Sequence, residues 1–156
     1  MKRVTRKEFL VASAAAAGAC VCGMSGCSTL TKIGDTPPIE SNAYSIEEGP
    51  VVRLAVDKSP QLASVGGSGK IIDTGLNDSL IIVRTADAEY IANSIKCTHR
   101  GVEVEYHHDK GIFRCSSLGG SKFALDGSRL AGPAKDALKT YPTSVSEGVL
   151  TIDMTG

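Results

Sequence analysis

From Val51 onward the chain is a succession of short, strand-forming runs broken by turn residues, and this spacing limits its fold more than any other feature. Val51-Val52-Arg53-Leu54-Ala55-Val56 is a first strand candidate. Gly66-Gly67-Ser68-Gly69 turns into Lys70-Ile71-Ile72-Asp73, and Asn77-Asp78 turns into Ser79-Leu80-Ile81-Ile82-Val83-Arg84-Thr85. Further runs are Glu89–Ser94, Val102–Tyr106 with period two, Ile112-Phe113-Arg114, Ser128-Arg129-Leu130 and Val149–Asp153. Short β-branched runs between Gly, Asn and Asp turns predict an all-β, antiparallel sandwich or barrel. No capped amphipathic helix stands out; Ser59-Pro60-Gln61-Leu62 suits a single helical turn.

With 156 residues, the chain is long enough for one domain. Lys and Arg balance Asp and Glu at 17 each, which argues against a nucleic-acid binder, since that would show a basic excess. The balance hides an uneven N-terminus. Residues 1–26 carry Lys2, Arg3, Arg6 and Lys7 against Glu8, a net of +3. An apolar, Ala-rich run over residues 10–24 follows, shorter than the roughly 20 apolar residues that span a bilayer. Basic then apolar then small residues predict an export signal over 1–26. Thr5-Arg6-Lys7-Glu8-Phe9-Leu10 resembles a twin-arginine export motif with Lys in the second basic place, and general secretion stays open. Met24-Ser25-Gly26-Cys27 resembles a lipobox, so Cys27 is the expected lipidation site, ahead of Cys20 and Cys22. An acylated Cys27 would hold the protein on a membrane surface, facing the periplasm or the cell exterior. Residues 27–50, with Pro37-Pro38 and Gly49-Pro50, are expected to be a tether, and 51–156 the folded domain.

Two loops of that domain carry the chemistry. Cys97-Thr98-His99-Arg100-Gly101 and Cys115-Ser116-Ser117-Leu118-Gly119-Gly120-Ser121-Lys122-Phe123 each follow a short run and open a Gly-containing turn. They hold the only cysteines of residues 51–156. These boxes, with fifteen residues between His99 and Cys115, resemble the Rieske iron–sulfur family, whose pattern is Cys-x-His, a spacer, then Cys-x-x-His. Gly101, Ser121-x-Phe123, Asp126-Gly127, Gly132-Pro133-Ala134, Leu138, Tyr141 and Gly148-x-Leu150-x-Ile152 extend the similarity over roughly residues 51–153. The resemblance implies a Rieske-like β sandwich or barrel with a small loop subdomain holding a 2Fe–2S cluster. It implies Cys97, His99 and Cys115 as metal ligands and Ser121 as a hydrogen-bond donor to the cluster, although Ser121 also suits an ordinary turn. The loop of Gly132-Pro133 would shield the cluster.

The second His is missing. Counting from Cys115 its place falls on Leu118; counting back from Ser121 it falls on Gly119. The family's extra loop-linking cysteines are also absent, with Val102 and Ser117 in their places. One iron of a Rieske centre takes two thiolates and the other two imidazoles, so His99 alone would leave one position open. His107 and His108 are the remaining imidazoles, and a hairpin turning at Asp109-Lys110-Gly111 would put them at its far tip.

The reading is a membrane-anchored electron carrier or oxidoreductase subunit, not a stand-alone enzyme. Its partner would be a redox protein or a membrane oxidoreductase complex. One alternative is a cluster-free module of the same fold, with a Cys97–Cys115 disulfide in an oxidising compartment. Another is a mononuclear Cys₂His zinc site with Glu103 or Glu105 as base.

Overall fold

The computed structural model describes residues 36–155. The export signal over 1–26, Cys27 and the first part of the tether lie outside the described residues. The expected all-β architecture is found: three four-stranded antiparallel sheets and two short 3₁₀ turns, Val56–Lys58 and Pro60–Leu62. None of the described helices is long and apolar enough to cross a membrane.

The first sheet has the order β1-β2-β12-β11, with β1 Tyr44–Glu47, β2 Val51–Ala55, β12 Val149–Asp153 and β11 Thr143–Ser146. The second has the order β10-β5-β4-β3, with β10 Thr140–Tyr141, β5 Glu89–Ser94, β4 Leu80–Ala86 and β3 Ser68–Ile71. The third is β6-β7-β8-β9, with β6 Val104–His107, β7 Ile112–Cys115, β8 Lys122–Phe123 and β9 Arg129–Ala131.

Strand β4 explains how these sheets cohere. Leu80, Ile81, Ile82 and Val83 are all buried, although successive side chains of a strand point to opposite faces. Leu80 and Ile82 join a core with Val52 and Leu54 of β2, Tyr90 and Ala92 of β5, and Leu150 and Ile152 of β12. Ile81 and Val83 join a second core with Val104, Phe113, Phe123, Leu138 and both Cys97 and Cys115. A strand buried on both faces needs an unbroken apolar run, which is what the sequence shows. Each such side chain contributes about 1.5–3 kcal/mol.

The expected tether over 27–50 must be shortened. From Thr36 the chain is structured, and Ile39 and Ala43 are buried in the first core. Pro37 and Pro38 act through their carbonyls, which an imino nitrogen leaves intact. Pro37 O accepts from Lys70 N–H at 2.9 Å and Pro38 O accepts from Gln61 Nε2 at 2.7 Å. Tyr44–Glu47 then pairs with β2, Tyr44 opposite Leu54 and Glu47 opposite Val51. This strand is only half-buried and polar at both ends of its register, so its own sequence carries little strand signal. The same holds for β11, Thr-Ser-Val-Ser, and for the two-residue strands β8 and β10.

The second and third sheets are tied by charge. Lys70 of β3 is almost fully buried and pairs with Glu105 of β6 and, at 3.2 Å, with Glu103. Glu105 also accepts the Thr36 N–H at 2.7 Å, and Thr36 Oγ1 accepts the Tyr106 N–H at 3.0 Å. Burial would lower the Lys70 pKa, but the hydrogen bonds and charges of Glu105 and then Glu103 hold it above its ordinary 10.5. Burial first, then the Asp73 hydrogen bond and charge, pushes Tyr44 up to about 12. Tyr141 is raised in the same way by burial and by Asp78, whose carboxylate accepts from its hydroxyl at 2.7 Å.

These contacts have measurable consequences. Ile81→Ala and Ile82→Ala should each destabilise the protein by about 2–5 kcal/mol in urea unfolding. Only Ile81→Ala should also speed the reaction of Cys97 and Cys115 with a thiol reagent under native conditions; equal thiol reactivity in the two variants would contradict the two-core assignment. In the folded state Lys70, Tyr44 and Tyr141 all keep their protons to higher pH than the unfolded chain does. Their stabilisation is therefore complete below about pH 10 and lost above it. Urea midpoints should be flat through neutral pH and fall in alkali, with a shallower fall in Tyr141→Phe.

Candidate metal centre

The first Cys box closes into a tight loop because its ends bond to each other. Cys97 N–H donates to Val102 O at 2.9 Å and Gly101 N–H to Cys97 O at 2.7 Å. The second box does the same: Cys115 N–H donates to Ser121 O at 2.8 Å and Gly120 N–H to Ser117 O at 2.9 Å. The loops lie side by side because Ser116 N–H reaches Glu103 O at 2.9 Å and Val104 N–H reaches Ile95 O at 2.8 Å. Local hydrogen bonding thus shapes each loop, and the strand pairing of β6 with β7 brings them together.

Both thiols are free and buried in the second core. The Cys97 thiol is held above its ordinary value by burial first, and the neighbouring Cys115 thiol adds to this. The His99 backbone N–H and the Ser121 hydroxyl act in the opposite direction by hydrogen-bonding the sulfur. Cys115 Sγ–H donates to Ser117 Oγ at 3.1 Å. Ser121 is fully buried and does two things: its Oγ accepts the Ala134 N–H at 3.1 Å while its hydroxyl faces the Cys97 sulfur.

His99 Nδ1 is buried and has no hydrogen-bond partner. Leaving such a nitrogen unpaired costs on the order of 1–3 kcal/mol, so it calls for a ligand. Among the described residues no three His, Cys, Asp or Glu side chains gather at the distance of a single ion. Two adjoining thiols and a separate imidazole suit a pair of irons, which divides sulfur and nitrogen donors between two metals. A mononuclear Cys₂His zinc site needs convergence on one point. Its expected base is also spent, since Glu103 and Glu105 hold Lys70.

The fourth corner is shaped by Gly119. Leu118 is fully exposed, at 111 % of its reference area, and turns into solvent. A Cβ on Gly119 would instead lie 3.9 Å from His99 Cε1 and only 2.7 Å from Pro133 Cγ. Of the two registers for the missing imidazole, Gly119 faces the site, and the Pro133 ring closes against it. His107 and His108 stand at the other end of the β6–β7 hairpin, where His107 pairs with Ile112 while Val104 pairs with Cys115.

Three side chains fix the Pro133 loop through four hydrogen bonds. Thr98 Oγ1 donates to Asp136 O at 2.8 Å, Arg129 Nη2 donates to Gly132 O at 2.8 Å and its Nε to Ala134 O, and Ala134 N–H meets Ser121. Thr98 and Arg129 do not stand out in the sequence. Thr98 is the variable residue of its box, and an Arg that binds backbone carbonyls leaves no pattern. Gly132 has φ +93°, and a Cβ there would come within 2.5 Å of Ser121 Cα.

A model of the Rieske [2Fe-2S] domain family matches residues 53–142. No curated protein matches the chain. Among solved structures, it is similar to the plasma membrane Rieske protein of the cyanobacterium Synechocystis. There the identity is 30 % and the TM-score 0.49, over 55 % of this chain and 85 % of that one. The ferredoxin of carbazole 1,9a-dioxygenase from Nocardioides aromaticivorans shares the fold, with 22 % identity and a TM-score of 0.50 over 63 % of this chain and 90 % of that one.

Gly132→Ala should cost about 1–3 kcal/mol for the backbone conformation alone. The readout is amide exchange: the Ala134 N–H should lose protection while β2 and β12 keep theirs. Unchanged protection at Ala134 would show that the loop has room to spare.

Proposed function

The chain belongs to the Rieske [2Fe-2S] domain family, and on that premise we propose that it is a membrane-tethered one-electron carrier with an incomplete ligand set. Cys97 and Cys115 would hold one iron and His99 Nδ1 the other, leaving the corner beside Gly119 without a protein ligand. The observation that carries this reading is the orphaned Nδ1 of His99 beside two adjoining, buried, free thiols inside the matched span. When bound, a cluster of this kind supplies a reversible one-electron couple.

The chain's own residues do the rest. The Thr98–Asp136 bond orients the loop that carries His99. Ser121 and the His99 N–H direct hydrogen bonds at the Cys97 sulfur, which favours the thiolate form that a metal requires. Burial of both cysteines in the second core excludes water from the sulfur side. The boundaries 1–26 for an export signal, Cys27 for acylation and the stretch before Thr36 for a tether complete the proposal. They rest on the leader's charge and apolar pattern. In this reading the carrier works at a membrane surface outside the cytoplasm and passes its electron to a redox protein.

A second reading is favoured by the same crowded corner. With Pro133 packed where a fourth ligand would stand, the fold can persist as a cluster-free module whose thiols pair with each other.

Iron and acid-labile sulfide measured on anaerobically purified protein, with an electron paramagnetic resonance spectrum of the reduced form, decide between them. The carrier reading expects about two irons and two sulfides per chain, lost in His99→Ala. It also expects Gly119→His combined with Pro133→Ala to retain iron longer than the parent on gel filtration, with Leu118→His giving no gain. Iron-free protein with a Cys97–Cys115 disulfide would establish the second reading.

A further inference from the structure

Charge is segregated along the described chain. Residues 96–139, which build the three loops of the centre and the third sheet, carry eight Lys and Arg against five Asp and Glu, a net of +3. The remaining residues, 36–95 and 140–155, carry four against ten, a net of −6. The cations of the two parts also differ in their company. Arg53, Lys70 and Arg84 each have a carboxylate within 4.0 Å. Lys58 has none, and of the eight in residues 96–139 Lys96 and Lys110 have one, whereas among the described residues Arg100, Arg114, Lys122, Arg129, Lys135 and Lys139 have none. All six are exposed.

Five of them follow the loops, while Lys139 lies over the Tyr141 ring of β10 at 5.1 Å. Arg100 is in the first Cys loop. Arg114 and Lys122 are directly opposite each other on β7 and β8, on the face away from buried Phe113 and Phe123, and the Arg114 guanidinium lies 3.4 Å from where a Gly120 Cβ would be. Arg129 and Lys135 flank the Pro133 loop. Fully exposed Leu118 projects from the second loop, with Val102 and Leu130 also exposed beside the first and third.

We propose that the loop end of the molecule is a docking face for an acidic protein, with Leu118 as an apolar contact inside a ring of unpaired cations. Unpaired guanidinium and ammonium groups around a small apolar centre match a carboxylate-bearing surface. The opposite sign of the rest of the domain orients the molecule during approach. That the partner is a protein and not an anionic bilayer rests on the electron-carrier reading, because lipid headgroups pressed against the loops would accept no electron.

The test is binding, so it does not depend on whether a cluster is present. A short polyglutamate peptide is titrated into isotopically labelled protein, with phosphatidylglycerol vesicles as the second arm. At about 10 mM salt the peptide should shift the amides of Arg100, Leu118, Lys122 and Lys135, and the shifts should fade by about 150 mM as the screening length shortens from about 30 to 8 Å. Lys122→Glu combined with Lys135→Glu should weaken binding about tenfold with an unchanged circular dichroism spectrum. Peptide shifts on β1 and β2, or none at low salt, would overturn the proposal. Vesicles that bind through the same amides more tightly than the peptide would assign the face to a membrane and overturn it equally. Iron-free protein that still binds the peptide would leave the docking face standing and refute only electron transfer.

Discussion

The structure depends on one strand whose two faces serve different cores. Alternation along β4 sends Leu80 and Ile82 to the sandwich and Ile81 and Val83 to the loop unit. Because the side-chain period is two, a slip of one residue would exchange every one of these contacts at once. The thiols inherit their positions from this arrangement. Cys97 and Cys115 are members of the second core, so their loops rest on packed side chains and not on the surface of a finished domain. The Lys70 cluster adds a polar tie between the same layers. A buried ion pair of this kind contributes little net stability, but removing one partner strands the other. Its value here is in fixing how β3 meets β6.

On this base the three loops of the centre hold one another by side-chain to backbone bonds between residues distant in sequence. Thr98 reaches Asp136, Ser121 receives Ala134, and Arg129 gathers the carbonyls of Gly132 and Ala134. The Pro133 ring occupies the space a side chain at position 119 would need. A residue with a Cβ at 119 therefore cannot coexist with Pro133 where it stands. Such a corner gives the neighbouring His99 a dry, unpaired nitrogen.

Much of the site is legible in the chain alone. Cys97, His99 and Cys115 stand out as candidates by box and spacer, because metal ligands must sit on turns short enough to present several donors to one place. The choice between Leu118 and Gly119 is not legible, since a loop longer by one residue can be counted from either end and only the direction of the missing Cβ resolves it. Ser117 and Thr98 are equally silent. A hydroxyl that bonds a thiol or a carbonyl across a loop has the same local sequence as one that faces water.

The fold divides along similar lines. The sequence by itself determined an all-β protein, its main strands from Val51 onward, and the β-branched run of Ser79–Thr85. Period-two patterning and turn residues are local signals, so they can be read in the chain. Only the tertiary structure decided that the Pro37-Pro38 segment is a strap and not part of a tether, and that Tyr44–Glu47 is a strand. It alone also showed that Pro133 closes on Gly119. These features arise where chain segments far apart in sequence meet, and their physical cause lies in the partner each residue finds and not in the residue itself.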